Sequence, residues 1–289
     1  MLGLTKSPLT GVAALGALYL ALSPRVAHPL YRHILFHPDK YPVGEYHVDK
    51  VVDVPKKDVF FPSLNGKILH GWYFIKPGAK KTLLFHHGNG GNLTTRLGLI
   101  EMMLESGASV LAYDYQGYGR SEGIPSVRNI CEDAVAAYNY LTDVAELDPD
   151  EIVIYGESLG TGVASYLSQI VPSAGLILQS GFLSLQRIGS EHLPPLKAYP
   201  SWLFPQPNLD NLAVVKQNHP PLLIIHGFKD VTVPFAHAEE LYKHALEPKA
   251  LVRLENTDHI DHYLQDYEVF CIGLSKYLNN LPLIPKTLA

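Results

Sequence analysis

From residue 82 to residue 279 the chain alternates between two kinds of stretch, and this alternation limits its fold more than any other feature. Short, almost wholly apolar runs read as strands: TLLFHH (82–87), SVLAYDY (109–115), EIVIYG (151–156), AGLILQ (174–179), PLLIIHG (221–227) and KALVRL (249–254). Such runs suit strands covered on both faces of a parallel sheet, since a half-exposed strand alternates apolar with polar residues. Helical periodicity fills the intervals at about 92–106, 127–142, 159–170, 234–246 and 261–279. Alternation of this kind predicts an α/β domain with right-handed crossovers: a mostly parallel central sheet of about eight strands, with helices on both faces. Ahead of it, VVDV (51–54), DVFF (58–61) and KILHGWYFI (67–75) read as antiparallel strands set off by Pro, Lys and Asn-Gly turns.

Composition narrows the function classes. The net charge of −5 comes without a long basic run, so the chain has no electrostatic footprint for nucleic acid. The two cysteines, Cys131 and Cys271, each fall in a helical pattern and read as small buried hydrophobes rather than a disulfide framework.

Two segments stand outside the rhythm. Residues 7–23 (SPLTGVAALGALYLALS) are uncharged and are followed by Arg25 and Arg32, without a convincing small-residue cleavage site. As a helix they would reach roughly 25 Å, against ~30 Å for a bilayer core. They are expected to form an uncleaved membrane anchor or interfacial helix. Residues 1–33 then make an anchor and linker, residues 34–289 the catalytic domain, and the protein is membrane-associated. Residues 182–211 carry five prolines and four aromatics between two core strands. An insertion there overhangs the carboxyl ends of the strands, where open α/β sheets bind ligands, so a small cap is expected.

Residues 151–163 read EIVIYGESLGTGV. The G-x-S-x-G core, Gly156 to Gly160, runs out of an apolar strand and into a helical pattern, the strand–turn–helix of a nucleophile elbow centred on Ser158. A serine hydroxyl needs a base, itself oriented by a third group. Along such a chain the order is Ser, then Asp or Glu, then His. Asp230 follows strand PLLIIHG as the acid candidate, and His259 follows strand KALVRL as the base. His262 competes with His259, which is favoured because it comes first in the loop. The cluster Asp258, His259, Asp261 and His262 lacks a further group to complete a zinc site, so no metal is expected. An oxyanion needs donors. The Leu159 N–H and the Asn89 N–H, in the loop HHGNGG, are the candidates, with Gly90 second; His86 and His87 read as packed, supporting groups.

Taken together, HHGNGGN, AYDYQGYGRSEG (112–123), GESLG, HGFKD and TDHID resemble the α/β-hydrolase superfamily, most of all its N-terminally anchored serine hydrolases. The resemblance covers about residues 30–280, including ILFHPDKYP (34–42). It implies an α/β-hydrolase fold with Ser158 as nucleophile, Asp230 as acid, His259 as base and Asn89 with Leu159 as oxyanion donors. No cofactor is expected. The chain departs from the pattern where Thr257-Asp258 precede the histidine and many relatives carry Gly. The expected reaction is cleavage of a small-molecule acyl ester or thioester, lipid-like given the expected anchor, with the membrane as a further partner. The rivals are a serine aminopeptidase or amidase, with Glu191 as a candidate amine-binding group, and a non-catalytic binding protein on the same fold.

Overall fold

The computed structural model describes residues 8–40, 48–259, 261 and 265–281. The chain opens with α1 (Pro8–Ala21), α2 (His28–Leu35) and the short β1 (His37–Pro38). Next comes a meander of β2 (Lys50–Val51), β3 (Val54–Pro62) and β4 (Ile68–Phe74). The alternating part then runs β5 (Thr82–His86), β6 (Gly90–Gly91), α3 (Leu97–Glu105), β7 (Ser109–Tyr113), α4 (Val127–Asn139), β8 (Ile152–Glu157), α5 (Leu159–Ser168) and β9 (Gly175–Gln179). It ends with α6 (Leu185–His192), α7 (Asn211–Val215), β10 (Leu222–Gly227), α8 (Ala236–His244), β11 (Lys249–Leu254) and α9 (Tyr267–Asn280).

Among the described residues the main sheet has nine strands, in the order β11-β10-β9-β8-β5-β7-β4-β3-β2. From β11 to β7 all neighbours are parallel; β4, β3 and β2 continue it antiparallel. The expected α/β-hydrolase fold is what forms. One local expectation changes: 51–54 is not a strand but a hairpin turn. Val52 and Asp53 both take positive φ, 49° and 59°, which twists a two-residue turn to match its flanking strands.

Successive strand residues point to opposite faces, and each face is capped by its own helices. Leu84, Ile152 and Ile154 pack with Ile130 and Ala134 of α4, Val163 and Leu167 of α5, and Leu241 of α8. Leu83, Phe85, Val153 and Tyr155 pack with Ile100 and Met103 of α3 and Phe270 and Leu274 of α9. Apolar runs without alternation are thus apolar because both faces are covered.

The cap expected at 182–211 is present. Ser184 and Asp210 form an antiparallel bridge at its neck. The Leu185 N–H donates to Leu209 O at 2.8 Å, and the Leu212 N–H to Leu183 O at 2.9 Å. Asn211 Nδ2 ties this neck to the core, donating to Thr161 Oγ1 and Phe182 O. Between the ends of the neck lie α6 and two short 3-10 turns, Pro194–Ala198 and Ser201–Leu203.

The expected membrane anchor is not found. Among the described residues no helix is long and apolar enough to cross a membrane. Helix α1 has 14 residues, about 21 Å of rise. Pro24 disfavours helical backbone at the residue before it, and the chain turns at Ser23, whose Oγ donates to Leu20 O at 2.7 Å. The end of α1 and the residues after the turn fold onto the cap. Tyr19 stacks on Tyr199 with ring centroids 4.6 Å apart, and its hydroxyl donates to Ala198 O. The Arg25 N–H donates to Leu203 O at 2.8 Å and its guanidinium to Trp202 O at 3.0 Å. The apolar run that reads as an anchor thus leads into a segment seated on the protein's own cap. The membrane-associated localisation and the membrane partner fall with the anchor.

Candidate active site

Ser158 sits between the last residue of β8 and the first of α5, with φ 51° and ψ −116°. A non-glycine residue in this region is strained and must be held by its surroundings. The Ser158 N–H donates to Gln179 O at 2.9 Å, and Ser158 O accepts from the Thr161 N–H at 2.9 Å and Thr161 Oγ1 at 2.6 Å. The flanking glycines make the turn sterically feasible. A Cβ on Gly160 would lie 2.0 Å from His86 O, and one on Gly156 2.3 Å from Gly160 O. Both obstacles are backbone, so Gly160→Ala must push β5 and α5 apart. It is expected to destabilise the fold by about 3 kcal/mol, read as a lower urea midpoint; an unchanged midpoint would contradict this packing.

Asp230 lies in the loop after β10 and His259 in the loop after β11, two adjacent parallel strands in register from Leu222 to Gly227. The two loops therefore leave the sheet side by side. His259 Nδ1 is 2.7 Å from Asp230 Oδ2, and His259 Nε2 is 2.9 Å from Ser158 Oγ. A carboxylate only accepts, so Nδ1 carries the proton and the Nε2 lone pair faces the serine hydroxyl. Asp230 Oδ1 accepts from the N–H groups of Thr232 and Val233 at 2.9 and 2.7 Å. Burial opposes the Asp230 charge, but donors from His226, His259 and Val233 outweigh it and hold the carboxyl well below its usual range.

His226 is a residue sequence reasoning passes over, although it stands in the quoted HGFKD. It is fully buried, its Nε2 2.7 Å from Val233 O and 3.3 Å from Asp230 Oδ2. Val233 O can only accept, so Nε2 carries a proton and offers Asp230 a second imidazole donor.

The histidine loop shows how Thr257-Asp258 replaces glycine. Thr257 is buried and its Oγ1 donates to Asp266 Oδ2 at 2.7 Å. Asp258 Oδ1 accepts from the His259 N–H at 2.8 Å and the Val231 N–H at 3.2 Å, so it binds the His259 loop to the Asp230 loop. His262 lies outside the described residues. Among the described residues no cluster of His, Cys, Asp and Glu could hold a metal ion.

Asn89 and Leu159 line one cavity together with Ser158. As the first residue of α5, Leu159 has no intrahelical acceptor for its N–H. Asn89 follows His87 and Gly88 on the loop after β5, where Asn89 O accepts from the His37 N–H at 2.9 Å and from Tyr118 Oη at 2.7 Å. His86 and His87 are buried, as packed groups should be: His86 Nδ1 meets Tyr113 Oη at 2.8 Å, and His87 Nδ1 donates to Gly88 O at 2.7 Å. Burial pushes both imidazoles down to about 3, so they are neutral at pH 7. Arg96 braces the loop from the other side. Its Nη2 donates to Gly90 O at 3.0 Å, and its Nε lies 2.8 Å from Glu157 Oε2, beside Ser158 and only 2% exposed. Removing one partner of a buried pair strands the other charge. Arg96→Leu is therefore expected to cost roughly 3–5 kcal/mol, and Arg96→Leu with Glu157→Gln to recover part of that in denaturant unfolding.

The cavity measures about 370 Å³. Its walls come from the cap (Leu185, Ile188, Leu196 and Phe204), from Val127 and Phe182, and from residues 24–36 at the N-terminal side.

The model of the alpha/beta hydrolase fold family matches residues 81–212. An uncharacterised Mycobacterium tuberculosis protein, Rv2307c, is 35% identical over 230 residues, 79% of this chain and 81% of its own length. The Arabidopsis thaliana alpha/beta hydrolase domain-containing protein WAV2 is 32% identical over 240 residues, covering 74% of this chain and 75% of WAV2. The chain belongs to the α/β-hydrolase family. The fold of this α/β-hydrolase also resembles that of the Pyrococcus furiosus esterase Pf2001, with a TM-score of 0.69 at 24% identity over 85% of this chain and 99% of that one.

Proposed function

We propose that this α/β-hydrolase is a serine hydrolase that cleaves carboxylic esters or thioesters through an acyl-enzyme. The observation that carries the reading is the continuous contact from Ser158 Oγ through the His259 ring to Asp230, 2.9 and 2.7 Å, on the wall of a mainly apolar cavity. His259 Nε2 takes the Ser158 proton as Oγ attacks the substrate carbonyl. The charge that develops on the carbonyl oxygen is met by the N–H groups of Leu159 and Asn89, at the positive end of α5. Asp230 holds the ring in the tautomer required and stabilises its protonated form. His259 then protonates the leaving group, and water releases the acyl group by the same route. The aliphatic walls supplied by Leu185, Ile188 and Leu196 suit an acyl chain.

The contacts of Glu191 favour this reading over an aminopeptidase that would use it to bind an amine. Glu191 is occupied by Arg187 Nε at 2.5 Å and His237 Nε2 at 2.9 Å.

A fluorophosphonate probe tests the proposal. One adduct on the peptide containing Ser158 is expected, together with turnover of p-nitrophenyl esters that depends on chain length. No adduct, or an adduct at another residue, would overturn the assignment.

A further inference from the structure

Helix α2 is fixed at both ends against different parts of the molecule. Before it, Arg25 bonds to the cap through Leu203 O and Trp202 O. After it, the chain passes through buried Phe36 to His37, whose N–H donates to Asn89 O. The helix therefore spans from the cap to the loop beside Ser158 and forms one side of the cavity. It contributes His28, Tyr31, Arg32, Ile34 and Leu35, and all of these but Ile34 recur at the spacing of one helical face.

Three of these five are polar, against a cavity that is otherwise mainly apolar. The Tyr31 hydroxyl is engaged, donating to Leu22 O at 3.0 Å. Arg32 is different. It is half-buried, and among the described residues its guanidinium has no carboxylate within ion-pair distance and no hydrogen-bond acceptor. The carboxylate on the cap helix α6, Glu191, is bound by Arg187 and His237. A guanidinium presents a planar fork of N–H donors that matches a carboxylate or phosphate in two-point contact. In a cavity of apolar walls, water competes less for such a contact than at an open surface.

Building on the serine-hydrolase reading, we infer that the substrate carries an anionic group, a carboxylate or a phosphate, at a distance from the scissile carbonyl, and that Arg32 binds it. Helix α2 then selects substrates by charge, while the cap walls receive the chain that links the anion to the ester.

The test compares kcat/KM for p-nitrophenyl esters of matched chain length that end in a methyl group, a carboxylate or a phosphate monoester. The leaving group is common to all, so the far end alone differs. Wild type is expected to favour at least one anionic series over the neutral one by about tenfold; the series with the larger ratio identifies the anion. Arg32→Gln keeps a good helix former and should bring the ratio to near one. Arg32→Lys, a charge without the fork, should restore part of it. A wild-type ratio at or below one in both series, or an Arg32→Gln ratio equal to wild type, overturns the inference. Turnover of neutral esters that Ser158→Ala abolishes, without anionic preference, would sink the role of Arg32 and leave the hydrolase reading standing. Absence of any Ser158-dependent turnover would sink both.

Discussion

Ser158→Ala protein should take up no fluorophosphonate and should cleave p-nitrophenyl esters about 10⁵- to 10⁶-fold more slowly than wild type. The expected loss is this large because the other groups act through the hydroxyl. In the proposed reaction His259 Nε2 takes its proton from Ser158 Oγ, 2.9 Å away. Without that oxygen the base has nothing to activate except water, and no acyl-enzyme can form. The residue at 158 must also hold a φ of 51°. Alanine meets the same backbone strain as serine, and the N–H to Gln179 O contact does not involve the side chain. The variant is therefore expected to fold, with an unfolding midpoint near that of wild type. Equal labelling or equal turnover by the two proteins would remove Ser158 from the reaction.

Asp230→Asn is expected to lower kcat by about 10⁴-fold while leaving the fold intact. Both oxygens of Asp230 accept. Oδ1 takes the Thr232 and Val233 N–H groups, and Oδ2 faces His259 Nδ1 and His226 Nε2. An asparagine NH₂ can occupy neither position without opposing two donors. If it faces His259, Nδ1 must become the acceptor, and the proton moves to Nε2, where it confronts the serine hydroxyl instead of accepting from it. The same carboxylate predicts a pH effect. Its folded value lies below the ordinary 3.8. Its contribution to stability is therefore complete above about pH 4 and is lost as pH falls through the depressed folded value. The asparagine protein should lack that component of the acid loss, which parallel unfolding curves between about pH 2 and pH 6 would detect. A kcat within about tenfold of wild type would show that His259 is oriented by something else.

How much of this could be read from the chain differs from element to element. The sheet was legible because burial on both faces writes itself as uninterrupted apolar runs, as in TLLFHH and EIVIYG. The elbow was legible because a strand that must turn at once into a helix needs glycine on both sides of the turn, and Gly160 lies against the His86 carbonyl with no room for a side chain. That Asp230 and His259 emerge side by side follows from β10 and β11 being parallel neighbours, which a chain of short crossovers makes the default. The donors behind Asp230 were less visible. His226 looks like one more strand residue, and Glu157 like a variable position of the motif, until burial forces each to find a partner.

The N-terminal segment went the other way. Local composition cannot distinguish a helix that is apolar because lipid surrounds it from one that leads into a contact with the same protein. In one dimension Tyr19 looks like part of the apolar run, and Arg25 and Arg32 look like its flanking residues. In three, Tyr19 and Arg25 meet Tyr199, Leu203 and Trp202, far away along the chain, and Arg32 faces the cavity beside Ser158. The sequence by itself determined the sheet, the elbow and the order of the three loops at strand ends, because each depends on neighbours a few residues apart. Only the tertiary structure decided what the N-terminal residues pack against and which charge lines the cavity, because those are contacts between distant segments that leave no local pattern.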